Sequence, residues 1–405
     1  MAHTYLAEIG AGDLSSPIVF FNANDDKSGS IVSGISDDLR REIADWAGAA
    51  VVAHHHRSSD AWIFIAIHDV TLGPAAGGTR IKYYQKPIDG LRDAFHLSQA
   101  MTSKWAIINS ERGGGKAVLA LTRDLNAAER CRILRDYAVI LNALKGAFFT
   151  AGDLGTTPDD LVYLARFTSY VTGGEQSLGE STDSGTYTAL GLRAAIRACL
   201  RHRLGDEKIA GRTVLVQGLG QVGGMLARLL VLDGARVLIN DIDAKRVAEF
   251  EKELVCTFVP PDCVYETPCD VYAPCGVGGT LNDHTVRHLS CQIICGGANN
   301  QLASRMIAEE LHKRNILYAP DYVVNAGGAI GLTMFRSGST DHEIYARIEG
   351  IESTLMNIFQ RASQQSLSPE RAADSLVQTV LAAARRPGYQ FNPETVPFVQ
   401  TQSPQ

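Results

Sequence analysis

Apolar residues recur along this chain with two different spacings. A spacing of three to four residues predicts helices, which are expected over residues 37–47, 88–105, 127–144 and 186–202, with a helical tail over about 342–386. Short runs dense in β-branched and aromatic residues predict strands, which are expected at Trp62–His68, Lys116–Leu121, Thr213–Gln217 and Arg236–Asn240. Strands that alternate with helices are typical of an α/β fold with a parallel or mixed sheet.

Glycine-rich segments divide this pattern. Gly73–Arg80 and Gly113–Gly115 are predicted turns, and the Gly-, Ser- and Thr-rich segment Gly173–Gly185 is a predicted linker. The chain has 405 residues, which is sufficient for two domains. We therefore expect an N-terminal extension over 1–50 with an irregular first part, α/β domains over 51–180 and 186–340, C-terminal helices over 341–386 and a disordered tail over 387–405.

The composition excludes several classes of function. Hydrophobic residues make up 45% of the chain and charged residues 20%, and the formal net charge is −6, which is ordinary for a soluble globular protein. A nucleic-acid-binding domain would be basic, so we expect no nucleic-acid partner. The segment Met1–Gly12 lacks the pattern of a secretory signal, and no apolar run approaches the length of a membrane helix. We expect a cytoplasmic protein with no membrane partner.

The eight cysteines and the His54–His56 run do not favour a metal site. No C-x-x-C pair occurs, and six cysteines are loosely spaced between Cys256 and Cys295, several of them within apolar runs. We expect them to be small buried hydrophobic residues in a reducing compartment. Three consecutive histidines cannot all face one ion on a regular element, so a solvated loop is expected there. No metal ligand is predicted.

A dinucleotide fingerprint follows the predicted strand Thr213–Gln217. Gly218, Gly220 and Gly223 stand at G-x-G-x-x-G spacing before a predicted helix, where they allow a tight turn, close approach of a pyrophosphate and close helix packing. Asp241 ends the next strand, where a carboxylate accepts the ribose 2′-hydroxyl and repels a 2′-phosphate. This predicts NAD, although the nearby basic residues Lys245 and Arg246 leave NADP open. The predicted cofactor contacts here are Gly218, Leu219, Gly220, Gln221, Val222, Gly223, Gly224, Asp241 and Ile242.

Several segments, taken in order, resemble the Glu/Leu/Phe/Val dehydrogenase family. They are Gly73–Arg80, Gly113–Lys116, Asp153, the glycine fingerprint, Ala273–Gly279, Gly297–Asn300 and Ala319–Gly328. The resemblance extends over roughly residues 60 to 385. It implies an α/β fold of two domains around a cleft: an N-terminal α/β substrate domain and a Rossmann dinucleotide-binding domain, with C-terminal helices that return to the first domain. It also implies a homo-oligomer.

The resemblance further implies reversible NAD-dependent oxidative deamination of a free L-amino acid to a 2-oxo acid and ammonia. On this basis Lys116 is the general base that activates water, Asp153 moves protons to and from the amino group, and Lys104 binds the substrate carboxylate. Gly77 and Gly78 approach the substrate main chain, and Asn299 holds its amine. The residues that match nicotinamide contacts of the family are Arg80, Thr188, Gly276, Val277 and Ala298, and Leu154, Gly297 and Asn299 are further expected cofactor contacts.

Three positions bear on the substrate side chain. Glutamate-selective members carry a lysine where Ala76 stands here, and a serine where Leu332 stands. Leucine-selective members have larger groups at the positions of Ala76 and Ala329. The combination resembles the phenylalanine-selective members, so a bulky apolar side chain is expected, with leucine, valine or tryptophan as alternatives.

Two functions of other classes compete with this interpretation. A catalytically silent NAD-binding regulator could lose Lys104, Lys116 or Asp153, yet all three are present. A 2-hydroxy-acid dehydrogenase would need a His–carboxylate pair as acid and base, and the first half of the chain shows no clear one.

Overall fold

The computed structural model describes residues 19–22, 37–173 and 184–385. These residues divide into two compact units, the first within Met1–Ser181 and Val380–Gln405 and the second within Thr182–Thr379. The predicted tail over 387–405 lies outside the described residues, and so does most of the predicted linker Gly173–Gly185. The domain boundaries proposed from the sequence stay predictions.

The first unit combines strands and helices. Its strands are β1 (Val19–Asn22), β2 (Ala50–His56), β3 (Ala61–Asp69), β4 (Ala75–Tyr83), β5 (Gly113–Leu121) and β6 (Phe148–Gly152). Its helices are α1 (Asp37–Trp46), α2 (Pro87–Ile107), α3 (Ala127–Ala143) and α4 (Pro158–Ala165). Local signals account for several boundaries: α2 has a proline at its first position, and α3 begins with a capping box of Asn126 and Glu129.

The sheet of the first unit is mixed. Its described strands lie in the order β1-β2-β3-β5-β4-β6, with β4 parallel to both β5 and β6 and the remaining pairs antiparallel. Buried apolar residues of β3 and β5 pack against α3 on one face and against α2 on the other. Helix α1 packs on α2, because the Trp46 indole donates to the Phe95 carbonyl and to Ser98 Oγ. The three strands β5, β4 and β6 therefore lie side by side between well-packed helices.

The second unit contains a parallel sheet. Its strands are β7 (Thr213–Gln217), β8 (Arg236–Asn240), β9 (Cys256–Phe258), β10 (Cys269–Pro274), β11 (Cys291–Ile294) and β12 (Leu317–Tyr318). Its helices are α5 (Ser184–Leu204), α6 (Gln221–Leu232), α7 (Ala244–Glu253), α8 (Thr285–His288), α9 (Arg305–Lys313), α10 (Asp321–Val324), α11 (Gly327–Arg336), α12 (Asp341–Gln365) and α13 (Pro369–Ala384), within which this unit ends at Thr379. The strand order β9-β8-β7-β10-β11-β12 is the Rossmann order.

The α/β prediction and most of its elements are confirmed. The bounds of β7 and β8 match the prediction, and α1, α2, α3 and α5 differ from it by one or two residues at their ends. Helix α12 packs against α5 and α11 within the second unit. Ion pairs between Arg197 and the carboxylates of Glu349 and Glu352 join α5 to α12.

The two predicted glycine turns are wrong, because both segments are largely strand. Residues 75–80 belong to β4 and Gly113–Gly115 begins β5. Glycine serves close approach here: a Cβ atom at Gly77 would lie 1.8 Å from the carbonyl oxygen of Gly115. A periodicity argument mistakes such a strand for a turn, since it lacks large apolar residues.

The predicted solvated loop at His54–His56 is also wrong. These residues end β2, and alternation along the strand buries the side chains of His54 and His56 while His55 stacks on Trp62. The two buried imidazoles lie 3.8 and 3.5 Å from the carboxylate of Asp136 on α3. The N-terminal extension also contains β1, which pairs antiparallel with β2.

Candidate active site

Strand register brings Lys116 and Asp153 together in the first unit. Ala117 of β5 is the partner of Thr79 on β4, and Thr79 is the partner of Gly152 on β6. Lys116 and Asp153 therefore flank β4 at the same level of the sheet. Lys116 Nζ lies 3.1 Å from Asp153 Oδ2, with 6% of the lysine side chain and 14% of the aspartate side chain exposed.

The lysine side chain can reach the carboxylate because Gly78 gives β4 no side chain at this level of the sheet. A Cβ atom at Gly78 would lie 2.7 Å from the Gly152 carbonyl oxygen and 2.8 Å from Asp153 Cβ. A larger residue would thus displace the segment that carries Asp153. The role that the sequence predicts for Gly78 toward the substrate stays a prediction, but this contact shows that Gly78 packs directly against the segment that carries Asp153.

The Asp153 carboxyl is ionised. Burial alone would raise its pKa, but the positive charges of Lys116 and Arg80 outweigh that penalty and lower the pKa to about 2. Arg80 Nε donates to Asp153 Oδ2 at 3.0 Å, so the same oxygen accepts from both cations. The site therefore holds an anion that can accept a proton and a lysine ammonium beside it.

Arg80 has a second acidic partner. Its Nη1 atom donates to Asp93 Oδ1 and Oδ2 at 3.2 and 2.9 Å, and the Tyr84 hydroxyl also donates to Asp93. The sequence assigned Arg80 to the nicotinamide end of the cofactor, and that contact stays a prediction. The described residues show Arg80 as the link between the carboxylates of Asp93 and Asp153.

Lys104 and Ala76 belong to the same unit as Lys116 and Asp153, and Trp105 joins the helix that carries Lys104 to the strand that carries Ala76. Lys104 lies in the last turn of α2 and is half-buried. The indole of the next residue, Trp105, donates to the Ala76 carbonyl at 2.8 Å. Ala76, which the sequence placed near the substrate side chain, is 8% exposed and held at its main chain by this bond. Leu154, which follows Asp153, is 58% exposed.

The fingerprint of the second unit forms the expected strand, turn and helix. Gly218 follows β7 with φ +93°, a conformation that favours glycine. Gly220 precedes α6, and a Cβ atom at Gly223 would lie 1.9 Å from the Gly218 carbonyl oxygen. The N-cap residue Gly220 has no side chain that could bond the N–H groups of the first turn of α6. Main-chain N–H donors at a helix N-terminus can bind a pyrophosphate, and a glycine turn without side chains lets it approach. These residues therefore fit a dinucleotide.

Asp241 is fixed at the end of β8. Its Oδ2 atom accepts from the Leu219 main-chain N–H at 2.6 Å and its Oδ1 atom from that of Asp243 at 2.9 Å. Burial raises the pKa of Asp241, but these N–H groups and Arg246 reverse that effect and lower it. The carboxylate is therefore ionised and next to the fingerprint turn. Arg246 Nη1 lies 3.5 Å from Asp241 Oδ2.

A surface pocket of about 340 Å³ adjoins this turn between α6 and α7. Its lining residues are Leu219, Gly220, Gln221, Met225, Arg228, Arg246, Glu249 and Phe250. Of the two guanidinium groups, that of Arg228 is paired with Glu253 at 2.6 Å, whereas that of Arg246 lies toward Asp241 and Asp243. Ile242, which follows Asp241 in the sequence, is 97% exposed.

Two buried side-chain amides bind the loop that carries Gly297, Ala298 and Asn299. Gln301 Nε2 donates to the carbonyl oxygens of Gly296 and Ala298 at 2.6 and 3.0 Å. Asn325 Nδ2 donates to Asn299 Oδ1 at 2.9 Å. The amide of Asn299 is therefore oriented by a specific partner, which suits a side chain predicted to hold an amine.

The remaining predicted residues of the second unit lie on α5, on α11 and in one exposed loop. Thr188 of α5 is buried, and its hydroxyl donates to the Ser184 carbonyl at 2.7 Å. Ala329 and Leu332 are half-buried and lie one turn apart on α11. Gly276 and Val277 follow β10, and Val277 is 75% exposed.

Sequence reasoning missed five residues that hold these groups in place. They are Tyr84, Asp93, Trp105, Gln301 and Asn325. Only Asn325 had a usable signal, because a polar residue in the Ala319–Gly328 motif is unusual amid buried apolar neighbours. Tyr84, Asp93 and Trp105 act through contacts with residues 9 to 29 positions away, whereas Gln301 bonds to main-chain carbonyls of the adjacent loop.

Among the described residues, no group of three His, Cys, Asp or Glu side chains is suited to a metal ion. All eight cysteines are free thiols; Cys199, Cys291 and Cys295 are buried, but Cys131 and Cys263 are exposed, so the expectation of burial is only partly met. None of the described helices has the length and apolar character needed to cross a membrane.

Comparison with known families identifies both units. The profile of "Glu/Leu/Phe/Val dehydrogenase, dimerisation domain" matches residues 53–170, and that of "Glutamate/Leucine/Phenylalanine/Valine dehydrogenase" matches residues 238–386. The homo-oligomer inferred from the sequence stays a prediction.

Individual relatives carry several substrate names. The chain is 35% identical to a phenylalanine dehydrogenase from Caldalkalibacillus thermarum over 338 residues, which are 82% of this chain and 91% of the relative. It is also 35% identical to a leucine dehydrogenase from Bacillus subtilis over 327 residues, 81% of this chain and 89% of the relative. The solved L-tryptophan dehydrogenase from Nostoc punctiforme has a TM-score of 0.72 at 34% identity and covers 85% of this chain and 98% of its own.

Proposed function

Since the chain belongs to the Glu/Leu/Phe/Val dehydrogenase family and is an amino-acid dehydrogenase, we propose that its substrate is a free L-amino acid with a bulky apolar side chain, phenylalanine first. The amino acid, water and an oxidised nicotinamide give the 2-oxo acid, ammonium, the reduced nicotinamide and a proton. The single observation that carries the proposed chemistry is the contact between Lys116 Nζ and Asp153 Oδ2. It combines a base and a proton carrier in one place.

The reaction needs protons to move at the substrate nitrogen and at the attacking water, and this pair can serve both places. Asp153 is ionised and can accept a proton from the substrate ammonium, which prepares the nitrogen for loss of the Cα hydrogen. The oxidation itself is the chemistry that a bound nicotinamide supplies. Lys116, once its ammonium has lost a proton to solvent, can take a proton from the water that attacks the imine carbon. Asp153 can return its proton to the nitrogen of the resulting carbinolamine, the C–N bond then breaks, and the hydroxyl proton passes to the departing ammonia to give ammonium and the 2-oxo acid. Lys104 is the proposed partner of the substrate carboxylate.

The proposed substrate class follows from what Ala76, Ala329 and Leu332 lack. None of the three offers a charge to a substrate side chain, and burial of an unpaired carboxylate is costly. The bond from Trp105 to the Ala76 carbonyl keeps this small residue in place. Phenylalanine is thus favoured over glutamate. Leucine, valine and tryptophan are the alternatives, because apolar substrates differ by only about 0.8 kcal/mol per buried CH₂.

We predict that kcat/KM for phenylalanine exceeds that for glutamate by at least about 100-fold. The values for tryptophan, leucine, valine and alanine should rank the apolar substrates, with alanine lowest. The measurement is initial-rate formation of reduced nicotinamide from each amino acid. In the matched variant Ala76→Lys, the ratio of kcat/KM for phenylalanine to that for glutamate should fall, because the new ammonium can pair with the γ-carboxylate of glutamate. Higher activity on glutamate or alanine than on phenylalanine would refute the substrate class. Absence of activity on every amino acid would point to a silent NAD-binding protein.

We also propose that the nicotinamide cofactor is NAD rather than NADP. The support is the ionised carboxylate of Asp241, 7% exposed and held by the N–H groups of Leu219 and Asp243. A fixed anion at this place can accept a ribose hydroxyl and repels a 2′-phosphate. Arg246 lies beside it, and this basic group weakens the discrimination.

We predict that kcat/KM for NAD exceeds that for NADP by about tenfold or more. Asp241→Ala should narrow this gap, since it removes the repulsion and releases Arg246 toward a 2′-phosphate. The double variant Asp241→Ala/Arg246→Ala should lose the gain with NADP. Arg228→Ala is the control, because that guanidinium lines the same pocket but is paired with Glu253. Equal use of NAD and NADP by the unmodified chain would contradict the proposal.

A further inference from the structure

A chain of polar contacts extends from Asp153 on the side away from Lys116. It runs through Arg80 to Asp93 and ends at Tyr84. Asp93 lies in the first half of α2, and neither Asp93 nor Tyr84 belongs to the segments that resemble the family. The side chains of Arg80 and Asp93 are 15% and 22% exposed, so solvent screens this ion pair only partly.

We propose that Asp93 is a positioning residue for the proton carrier: together with Tyr84 it fixes the Arg80 guanidinium, and Arg80 in turn holds the Asp153 carboxylate against Lys116. The inference rests on the proposed function, because it concerns how Asp153 is kept ready for proton transfer. Asp93 itself touches none of the reacting groups.

The geometry of Arg80 supports this role. A guanidinium is planar and presents its donors in a rigid fork, so carboxylates on two edges determine its orientation. Here the Nε edge contacts Asp153 at 3.0 Å and the Nη1 atom contacts both oxygens of Asp93. Arg80 and Lys116 both contact the same atom, Oδ2 of Asp153.

The charges of the four side chains also support a positioning role for Asp93. Lys116 and Arg80 carry two positive charges, and Asp153 and Asp93 carry two negative charges. Without the Asp93 carboxylate, Asp153 would face an excess of positive charge and would accept a proton less readily. Arg80 would also lose one of the two contacts that orient it. Proton transfer at Asp153 should then become slower while substrate binding changes little.

Helix α2 does not depend on Asp93 for its attachment. The indole of Trp46 donates to Phe95 and Ser98, and that of Trp105 donates to Ala76, so both halves of the helix are held by other contacts. A variant at Asp93 is therefore expected to fold. Its effect can be measured in the full chain.

The experiment compares Asp93→Asn with the unmodified chain, using the best amino acid substrate. We expect kcat to fall roughly tenfold or more, KM to stay within about threefold, and the solvent deuterium isotope effect on kcat to rise. A merely structural role would lower kcat without raising that isotope effect. Asp93→Glu should restore part of kcat, because it keeps the charge, and Tyr84→Phe should have a smaller effect than Asp93→Asn.

Arg92→Gln is the matched control. Arg92 is the neighbour of Asp93 on α2, and its ion pairs with Glu42 and Asp89 at 2.7 and 3.0 Å lie on the exposed side of the helix. Its kcat and isotope effects should equal those of the unmodified chain. If kcat and the isotope effect were unchanged in Asp93→Asn, the proposal for Asp93 would be overturned. The proposed function would stand in that case, because the unmodified chain would still be active.

A double-variant cycle tests the link without any activity. Asp93→Asn, Asp153→Asn and the double variant are unfolded with denaturant. If Arg80 joins the two carboxylates, the double variant leaves it unpaired, so its midpoint should shift by more than the sum of the single shifts. Additive shifts would overturn the proposal. Should the unmodified chain oxidise no amino acid, the proposed function would fail, and this cycle would still decide whether Asp93 and Asp153 are coupled.

Discussion

Lys116→Ala should lower kcat by about 10³- to 10⁴-fold and leave the affinity for reduced nicotinamide within about twofold. Lys116 is the amine in contact with Asp153, and the alanine variant lacks this group, which takes a proton from water and releases it again. The fingerprint belongs to a separate compact unit, so cofactor binding should be spared. Steady-state kinetics and a fluorescence titration measure the two quantities.

Two further variants distinguish a base from a fixed charge. Lys116→Arg keeps a cation next to Asp153 but cannot lose a proton at neutral pH, so it should be nearly as inactive as Lys116→Ala. Small primary amines added to Lys116→Ala should restore part of the rate, because they supply the missing base. Lys86→Ala removes an exposed lysine before α2 and should leave kcat unchanged. Near-normal turnover by Lys116→Ala would remove this residue from the mechanism.

The sequence was most informative where the residues needed for binding are also the residues that the local backbone conformation requires. Gly218 and Gly223 are needed by the turn and by the approach of α6, and Asp241 ends a short apolar strand, so the fingerprint could be predicted with its strands. The catalytic candidates were different. Nothing in the spacing of Lys116 and Asp153 shows that they meet, and their pairing was inferred only from the resemblance to a family.

The errors have a common physical cause. In β4 and β5, glycine is present because another backbone or a long side chain passes close by, as at Gly77 and Gly78, and not because the chain turns. At the end of β2, two histidines are buried on the face that meets Asp136. In both cases the choice of residue is determined by contacts with a neighbouring strand or helix. They are invisible to a method that examines residues only a few positions apart.

Asp153→Asn should lower kcat by about 10³-fold, because an amide cannot accept the proton of the substrate ammonium. The variant also leaves Lys116 and Arg80 close to each other without the anion between them. The affinity for reduced nicotinamide should change little. Asp124→Asn removes an exposed carboxylate of the same unit and serves as the control for both kinetics and stability. A value of kcat within a factor of about ten of normal would exclude Asp153 as the proton carrier.

The same variant should lose stability in a pH-dependent way, and the sign follows from the pKa of Asp153. In the folded chain this pKa is lowered to about 2, whereas in an unfolded chain it is about 3.9. The ionised carboxylate therefore stabilises the fold by about 2 kcal/mol at neutral pH, and this contribution is lost as the pH falls from about 5 toward 2. Denaturant unfolding of the unmodified chain and of Asp153→Asn should show a difference that is constant between about pH 6 and 7 and shrinks below about pH 5. A difference that grew with acidity would mean that the carboxylate is not held ionised by Lys116 and Arg80.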